Sequence, residues 1–458
     1  MKKNLTIILF ANIINMLLSV AIGFMLPKYL SIDSYGYYKI FQFYLNYIGL
    51  LHLGYADGIY LQYGGMDLTQ IDKNRILINS ATLRNLQLIL SIIFLISGIY
   101  ISNIIMIFLA ISLVPVNMIT FYKNIFQATG EFKKYGYIIS LLPMISFLCY
   151  FILLIIIKTD NYVYYILITI MSNLFMYFML EIGSLKLFGN FKLWVLDFKD
   201  LIFNIKNGFT LLLGNFTSVL IVGIDRWFIQ IFLTLKDFSY YSFAVSIENL
   251  FNICVSAVTI TFYNYLCKEK DAFNIRRMKT CCIIMGIYMI AIAFPVKFII
   301  QIWLVKYENS ITCLFYLIAA HAFYFVIKAI YVNMYKANHE QKYYFFQMLY
   351  ILIIAVLADI FAYYFISKTK EVFAIATLFT AMIWYYICFL KSRDIRSTKR
   401  ENILLYFSVI LFLCCGLLIQ NAIVGAFLYI CIVSLLVFII YRKYEYNILG
   451  GLHDIFSK

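Results

Sequence analysis

Long apolar segments follow one another along almost the whole of this sequence, separated by short polar breaks. A run of about 20 apolar residues crosses the hydrocarbon core of a bilayer as a single α-helix. The runs therefore predict an all-α membrane protein with about fourteen transmembrane helices. The break at 102–103 is the weakest, so twelve or thirteen spans remain alternatives. The predicted spans are 5–26, 39–62, 80–101, 104–126, 136–157, 162–185, 208–233, 239–265, 280–304, 311–335, 343–366, 372–390, 402–420 and 423–441.

The composition supports this prediction and excludes a soluble enzyme. Hydrophobic residues make up 64% of the 458 residues and charged residues 13%, and the mean hydropathy is +0.89. Soluble domains are about 45–50% apolar and about 25% charged. A chain with so few polar residues could not cover its apolar surface in water. The same composition excludes a disordered or a fibrous chain.

The formal net charge of +15 is explained by topology. With the N-terminus inside, most of the 37 Lys and Arg residues fall in cytoplasmic segments and few in outward loops. We therefore predict that both termini are cytoplasmic and that the charge is not a nucleic-acid site. The first apolar stretch is too long for a cleaved signal peptide, so it is read as an uncleaved helix. The ten cysteines show no metal-ligand spacing and are interpreted as small buried apolar residues.

The two halves of the chain show a weak internal repeat at an offset of 203 residues. The repeat aligns Asn12 with Asn215, Tyr37-Tyr38 with Tyr240-Tyr241, and Asn46 with Asn249. Six spans per half then predict two lobes of the same orientation. The predicted domains are an N-terminal six-helix lobe at 1–190, a second six-helix lobe at 191–392, and a basic linker with two accessory helices at 393–458.

Two stretches, 26–65 and 224–244, resemble the polysaccharide transporter family. The matching positions are Pro27, Tyr35-Gly36, Gly54, Asp57-Gly58, Asp225-Arg226 and Tyr240-Tyr241. This family includes the O-antigen, capsule and teichoic-acid flippases. It belongs to the multidrug/oligosaccharidyl-lipid/polysaccharide exporter superfamily, together with the lipid II flippases.

The resemblance implies both a fold and a cargo. The fold would be two six-helix lobes around a central cavity, with alternating access. The cargo would be an undecaprenyl-pyrophosphate-type lipid-linked glycan in a bacterial cytoplasmic membrane. Its partners would be membrane lipids and the polysaccharide synthesis machinery.

Basic residues inside predicted spans are the candidate substrate-binding residues, because an unpaired charge in the bilayer is costly. Arg226, Lys297 and Lys328 are expected to form a cationic cavity that binds a diphosphate. Two alternatives remain open: Arg226 pairs with Glu248, and Arg226 and Lys297 extend to the nearest interface.

Acidic residues and histidines inside the spans are the candidates for coupling. Asp57, Asp225, Glu248, Asp359 and His321 are expected either to bind a coupling H⁺ or Na⁺ or to form structural ion pairs. His52 is expected to be either a proton relay or a buried histidine whose hydrogen bonds are satisfied. Neither a resident cofactor nor a metal site is predicted.

Three functions compete at this point. The leading hypothesis is a flippase for a lipid-linked oligosaccharide, which is not an enzyme. A multidrug or cation exporter is the alternative within carriers, but its cavity would be acidic. A glycan polymerase or ligase would need a sizeable outward loop, and none is present in the predicted topology. The sequence contains no nucleotide-binding loop, no HExxH and no nucleophile elbow.

Overall fold

The computed structural model describes residues 2–189, 195–268, 271–338, 340–392, 395 and 397–441, and these residues form helices joined by short turns. The α-helices are α1 Lys2–Tyr29, α2 Ile32–Ile48, α3 Tyr55–Gln62, α4 Lys73–Tyr100, α5 Ile104–Ala128, α6 Phe132–Phe151, α7 Tyr162–Phe188, α8 Phe198–Phe232, α9 Leu235–Lys268, α10 Ala272–Ile290, α11 Ala293–Trp303, α12 Ile311–Val326, α13 Asn333–Ala337, α14 Gln341–Phe361, α15 Lys370–Lys391, α16 Lys399–Leu417 and α17 Ala422–Tyr441. Turns of π-helix cover Ile152–Ile157, Ile327–Val332 and Ala362–Ile366, and 3₁₀ turns cover Leu68–Gln70 and Val305–Ser310.

The prediction of an all-α, multi-pass membrane protein is confirmed. Within the described residues, eleven helical segments are long and apolar enough to cross a membrane. A twelfth is present if Phe198–Thr217 and Val219–Phe232 count together as one broken span. This number is lower than the fourteen predicted spans. Each predicted span lies mostly in helix, but the span 39–62 is divided between α2 and α3, and the span 280–304 between α10 and α11.

The weakest predicted break, at 102–103, is a real turn between two helices. Ser102 has a positive φ of 56°, and the Asn103 side chain accepts a hydrogen bond from the backbone N–H of Met106 at 3.2 Å. Asn103 therefore caps the first turn of α5, and 102–103 separates two helices. Helices α4 and α5 then pack closely against each other.

The chain divides into two compact units, Met1–Leu220 and Ile221–Lys458. We refer to them as unit 1 and unit 2. The domain boundaries expected after residues 190 and 392 stay predictions.

The core of unit 1 lies where α3, α4, α5 and α7 meet. Tyr55, Ile59, Leu83, Phe121 and Met176 are buried there. Helix α1 packs on α6 at the side of this core. The short helix α3 is thereby held inside the unit, although it is too short to span a bilayer.

Helices α3 and α8 cross so closely that glycines of each helix lie against the backbone of the other. A Cβ atom at Gly58 would lie 2.1 Å from the carbonyl oxygen of Asn204, and one at Gly208 would lie 2.0 Å from that of Gly54. Only hydrogen fits at either position, so these glycines set the distance between the two helices.

The core of unit 2 is built around α12. Every residue from Leu317 to Val326 is buried, and so are Cys313, Leu314 and Phe315 in the preceding turn. Helices α9, α10, α15 and α16 surround α12. A helix that is apolar on all sides and enclosed in this way acts as the packing centre of its unit.

Candidate functional site

A break in the helical path between α2 and α3 is the starting point of the candidate site. Helix α2 ends at Ile48 with Gly49 as its C-cap. Leu53 and Gly54 then have positive φ values of 54° and 87°, which a continuous helix cannot contain. The chain restarts as α3 at Tyr55.

Two fully buried side-chain amides donate hydrogen bonds to backbone carbonyls at this break. Asn117 Nδ2 donates to the carbonyl of Ile48 at 3.1 Å, and Gln87 Nε2 donates to that of Leu51 at 3.0 Å. Asn117 also donates to Gln87 Oε1 at 2.9 Å. Irregular backbone is tolerated at membrane depth only where such partners exist or a wet cavity lies beside it. The break is therefore supported by α4 and α5.

A polar cavity of about 740 Å³ lies beside this break, with all of its lining residues in unit 1. Hydroxyl, amide and charged side chains come to it from α1, α2, α3, α5, α6, α7 and α8 and from the turn between α2 and α3. Its polar lining residues are Asn15, Ser19, Tyr38, Gln42, Asn46, His52, Asp57, Thr120, Lys123, Asn124, Ser146, Tyr150, Thr169, Asn173 and Asn215.

Three ionisable side chains of this cavity interact with one another. His52 Nε2 lies 3.9 Å from Asp57 Oδ2, and Lys123 is within electrostatic range of both. His52 Nδ1 accepts a hydrogen bond from the Gly54 N–H at 3.1 Å, which leaves the proton of a neutral ring on Nε2. Asp57 Oδ2 accepts no hydrogen bond from the described residues. The cavity thus contains one lysine, one buried carboxyl group and one histidine.

A chain of hydroxyl and amide groups forms another part of the cavity wall. The Tyr150 hydroxyl lies 2.6 Å from Thr169 Oγ1 and 3.2 Å from the Tyr38 hydroxyl. Gln42 Nε2 donates to Tyr38 and to Thr169 at 3.1 and 3.3 Å. Aromatic and amide groups side by side are suited to the apolar and hydroxyl faces of a sugar.

A second group of charges lies in unit 2, on α8, α9, α12 and α14. His321 Nε2 is 3.0 Å from Glu248 Oε1. The hydroxyl of Tyr241 donates to Asp225, and the backbone N–H of Arg226 donates to Asp225 Oδ1 at 2.7 Å. Asp359 is 2% exposed and interacts electrostatically with Asp225. Within the described residues its Oδ2 has no hydrogen-bond donor.

Lys328 joins this group through Glu248. It lies on the π-helical turn that follows α12, and its Nζ donates to Asn252 Oδ1 at 2.9 Å. It also interacts electrostatically with Glu248. Glu248 therefore contacts His321 and interacts electrostatically with Lys328, so that opposite charges lie near each other in this group.

Lys297 contacts a different part of unit 2. Its Nζ donates to the carbonyls of Gly416 and Ile419, both at 2.7 Å. Gly416 lies in the last turn of α16, where carbonyls have no helical partners and the helix dipole is negative. Lys297 thus caps the C-terminal end of α16.

Comparison with known proteins is informative at the level of structure. No family model matches the sequence, and no curated protein matches it. A solved structure of the lipid II flippase MurJ in an inward closed conformation superposes with a TM-score of 0.68. The match covers 97% of this chain and 99% of that chain, with 13% sequence identity. This chain has the MurJ fold.

Two further solved structures match with lower scores. A MOP superfamily transporter from Pyrococcus furiosus has a TM-score of 0.46, at 13% identity, over 87% of this chain and 97% of its own. A MATE protein in complex with Br-NRF has a TM-score of 0.41, at 12% identity, over 89% and 96% of the two chains. The resemblance to the exporter superfamily is confirmed for the fold through MurJ.

Within the MurJ fold, the residues expected in one cationic cavity have different surroundings. Arg226 and Lys328 belong to the acid-rich group of unit 2, whereas Lys297 caps α16. Their assignment to a cargo site stays a prediction. His52 and Asp57 do line a polar cavity, and their roles also stay predictions.

Lys123 was not among the residues expected in the site. It lies close to the end of the predicted span 104–126, where a lysine ordinarily reaches the interface. Its position within an apolar run was the signal that could have identified it.

The contacts of Lys328 predict a stability effect with a specific rescue. Lys328→Gln removes a charge that interacts with Glu248 together with the hydrogen bond to Asn252, and is expected to lower stability by about 2 kcal/mol, as for a hydrogen bond to a charged group. Adding Glu248→Gln should recover much of this loss, because no unpaired charge then remains. Thermal melting of the detergent-purified protein measures both. Lys336→Gln, at an exposed lysine of α13, is the control. A double variant that melts no higher than Lys328→Gln would contradict the pairing.

Proposed function

We propose that this chain is a flippase that moves a lipid-pyrophosphate-linked oligosaccharide from the cytoplasmic to the outer leaflet of a bacterial cytoplasmic membrane. The cargo would be of the undecaprenyl-pyrophosphate type, used for a surface polysaccharide such as O-antigen. Both termini would be cytoplasmic. The observation that carries the proposal is the polar cavity of unit 1, which opens beside the break between α2 and α3 and contains Lys123.

The chemistry of this cavity fits an amphiphilic anion. A diphosphate cannot cross hydrocarbon unaided, and a lysine in a low-dielectric site attracts it strongly. Broken helices beside a buried polar site are a recurrent feature of transporters. The amide and tyrosine groups of the wall supply hydrogen bonds for sugar hydroxyls. The similarity to MurJ, whose structure is described as a lipid II flippase, supports the same class of cargo.

Ion coupling is the part of the proposal that concerns unit 2. The Glu248–His321 contact at 3.0 Å supports a structural ion pair for these two residues. Asp359, whose Oδ2 has no donor among the described residues, supports a site for H⁺ or Na⁺ shared with Asp225.

A drug or cation exporter is the second candidate, and one observation favours it. The acidic residue Asp57 lines the same cavity, and its carboxylate would attract a cationic substrate. The glycan polymerase hypothesis has less support. The described connections that the topology places outside are each at most seven residues long, too short to hold a catalytic site. They are 30–31, 101–103, 158–161, 233–234, 304–310, 367–369 and 418–421.

Deletion of the gene separates these functions. A flippase mutant should lose one surface polysaccharide and accumulate its lipid-linked precursor in the inner leaflet, where a glycan-oxidising reagent added to intact spheroplasts cannot reach it. Re-expression of the wild-type chain should restore the polysaccharide. A polymerase mutant would instead display single repeat units that the reagent attacks. Normal surface glycan with raised sensitivity to cationic dyes would identify the exporter.

A further inference from the structure

Unit 2 contains another cavity, of about 720 Å³, formed where α10 and α16 begin and α17 ends. We call it the α10–α16 pocket. Four basic side chains line it: Arg276 and Arg277 from α10, and Lys399 and Arg400 from α16. The predicted topology places all three helix ends at the cytoplasmic face. Nothing in the proposed transport cycle uses these residues.

The one acid that lines the pocket is already neutralised. Glu401 lies 3.5 Å from Lys279 Nζ, in a pair in which the lysine side chain is 1% exposed and the glutamate side chain 8%. It also accepts a hydrogen bond from Thr280 Oγ1 and one from the Thr398 N–H at 2.6 Å. Glu401 therefore contributes little negative charge to the pocket that Arg277, Lys399 and Arg400 line.

Lys399 and Arg400 occupy an unfavourable place on their helix. They are the first two residues of α16, behind a capping box formed by Thr398 and Glu401. The N-terminal end of a helix is positive, so basic residues in the first turn are repelled. A bound anion would offset the repulsion between these basic residues and the helix dipole. It would also accept hydrogen bonds from backbone N–H groups of the first turn.

Two polar atoms in the pocket wall are buried without a hydrogen-bond partner in the part of the chain that the structure describes. They are Arg277 Nε and the Tyr441 hydroxyl. Phe273 and Ile440 add apolar surface beside them. Hydrogen-bond donors beside apolar side chains, at the level of the membrane interface, are suited to bind the phosphate and the adjoining apolar part of a lipid.

We infer that the α10–α16 pocket binds a phosphate group, through Arg277, Lys399 and Arg400. The shared chemistry is a phosphate monoester or diester, carried by an anionic phospholipid or by a small soluble molecule. This inference does not depend on the proposed cargo, because the pocket lies in unit 2 and shares no residue with the cavity of unit 1.

Native mass spectrometry of the full detergent-purified chain tests the inference with phosphatidylglycerol as the probe and phosphatidylcholine as the neutral comparison. Wild-type protein should retain phosphatidylglycerol preferentially. Lys399→Gln/Arg400→Gln should weaken its binding about tenfold or more, since each removes a charge-assisted hydrogen bond. The charge-preserving Lys399→Arg/Arg400→Lys should bind nearly as well as wild type.

The matched control removes two exposed lysines from the first turns of other helices on the same predicted face, Lys133→Gln/Lys342→Gln. Its phosphatidylglycerol binding should equal that of wild type. A second arm adds sn-glycerol 3-phosphate. If sn-glycerol 3-phosphate displaces the lipid and raises the melting temperature of wild type only, the occupant is a soluble phosphate. If it does neither, the occupant is the lipid. Equal loss of binding in the pocket and control variants, with unchanged melting temperatures, would overturn the inference and leave these charges a topological role only.

Discussion

Replacing Lys123 with Gln is expected to abolish display of the surface polysaccharide while the protein remains abundant in the membrane. Lys123 is the only lysine or arginine among the described residues that line the unit 1 cavity. In a low-dielectric cavity the lost attraction to a diphosphate is poorly screened, so transport should fall about tenfold or more. Lys123→Arg should retain more activity than Lys123→Gln. Quantitative immunoblots for protein and surface glycan in a complemented deletion strain measure both.

A double variant separates a role in binding from a role in pairing. If Lys123 only neutralises Asp57, then Lys123→Gln/Asp57→Asn should recover transport. If the lysine binds the cargo, the double variant should stay inactive. Lys133→Gln, at an exposed lysine near the start of α6, is the control for charge alone. Normal glycan display by an abundant Lys123→Gln protein would remove this lysine from the mechanism.

The second large effect is structural and concerns the crossing of α3 and α8. Gly58→Ala would place a methyl group 2.1 Å from the Asn204 carbonyl oxygen, so the two helices must separate. We expect a loss of about 3 kcal/mol, at the upper end for overpacking, because both neighbours are backbone. Against a total stability of about 5–15 kcal/mol, most of the protein should still fold but melt several degrees lower. Detergent-solubilised thermal melting measures the change.

The chain contains matched controls for this substitution. A Cβ atom at Gly23 or at Gly214 would meet nothing within 4 Å. Ala at these helical positions should therefore be neutral or slightly stabilising, since Ala has the higher helix propensity. Gly208→Ala should behave like Gly58→Ala, because its methyl group would meet the backbone of Gly54. A melting temperature of Gly58→Ala equal to that of Gly214→Ala would show that the helices are not held at this distance.

The ionisable residues inside the predicted spans show which parts of the site could be predicted from the sequence. The sequence identified Asp225, Glu248, Asp359, His321 and Lys328 as intramembrane ionisable residues. In the structure Glu248 contacts His321, and electrostatic interactions link these two to the other three. The capping contacts of Lys297 were not predicted, because Gly416 and Ile419 lie far away in the chain. A hydropathy profile contains no information about which distant carbonyl a lysine will reach.

The helical class and the approximate positions of the helices were determined by the sequence alone, because hydrocarbon leaves an apolar segment no hydrogen-bond partners except its own backbone. The break between α2 and α3, and the cavity beside it, were decided by tertiary structure. The carbonyls of Leu51 and Ile48 accept hydrogen bonds from Gln87 and Asn117, which belong to other helices. Likewise, Lys123 of α5 meets Asp57 of α3 only because packing brings the two helices together. Local hydrogen bonding therefore sets the helices, and contacts between distant segments set the site.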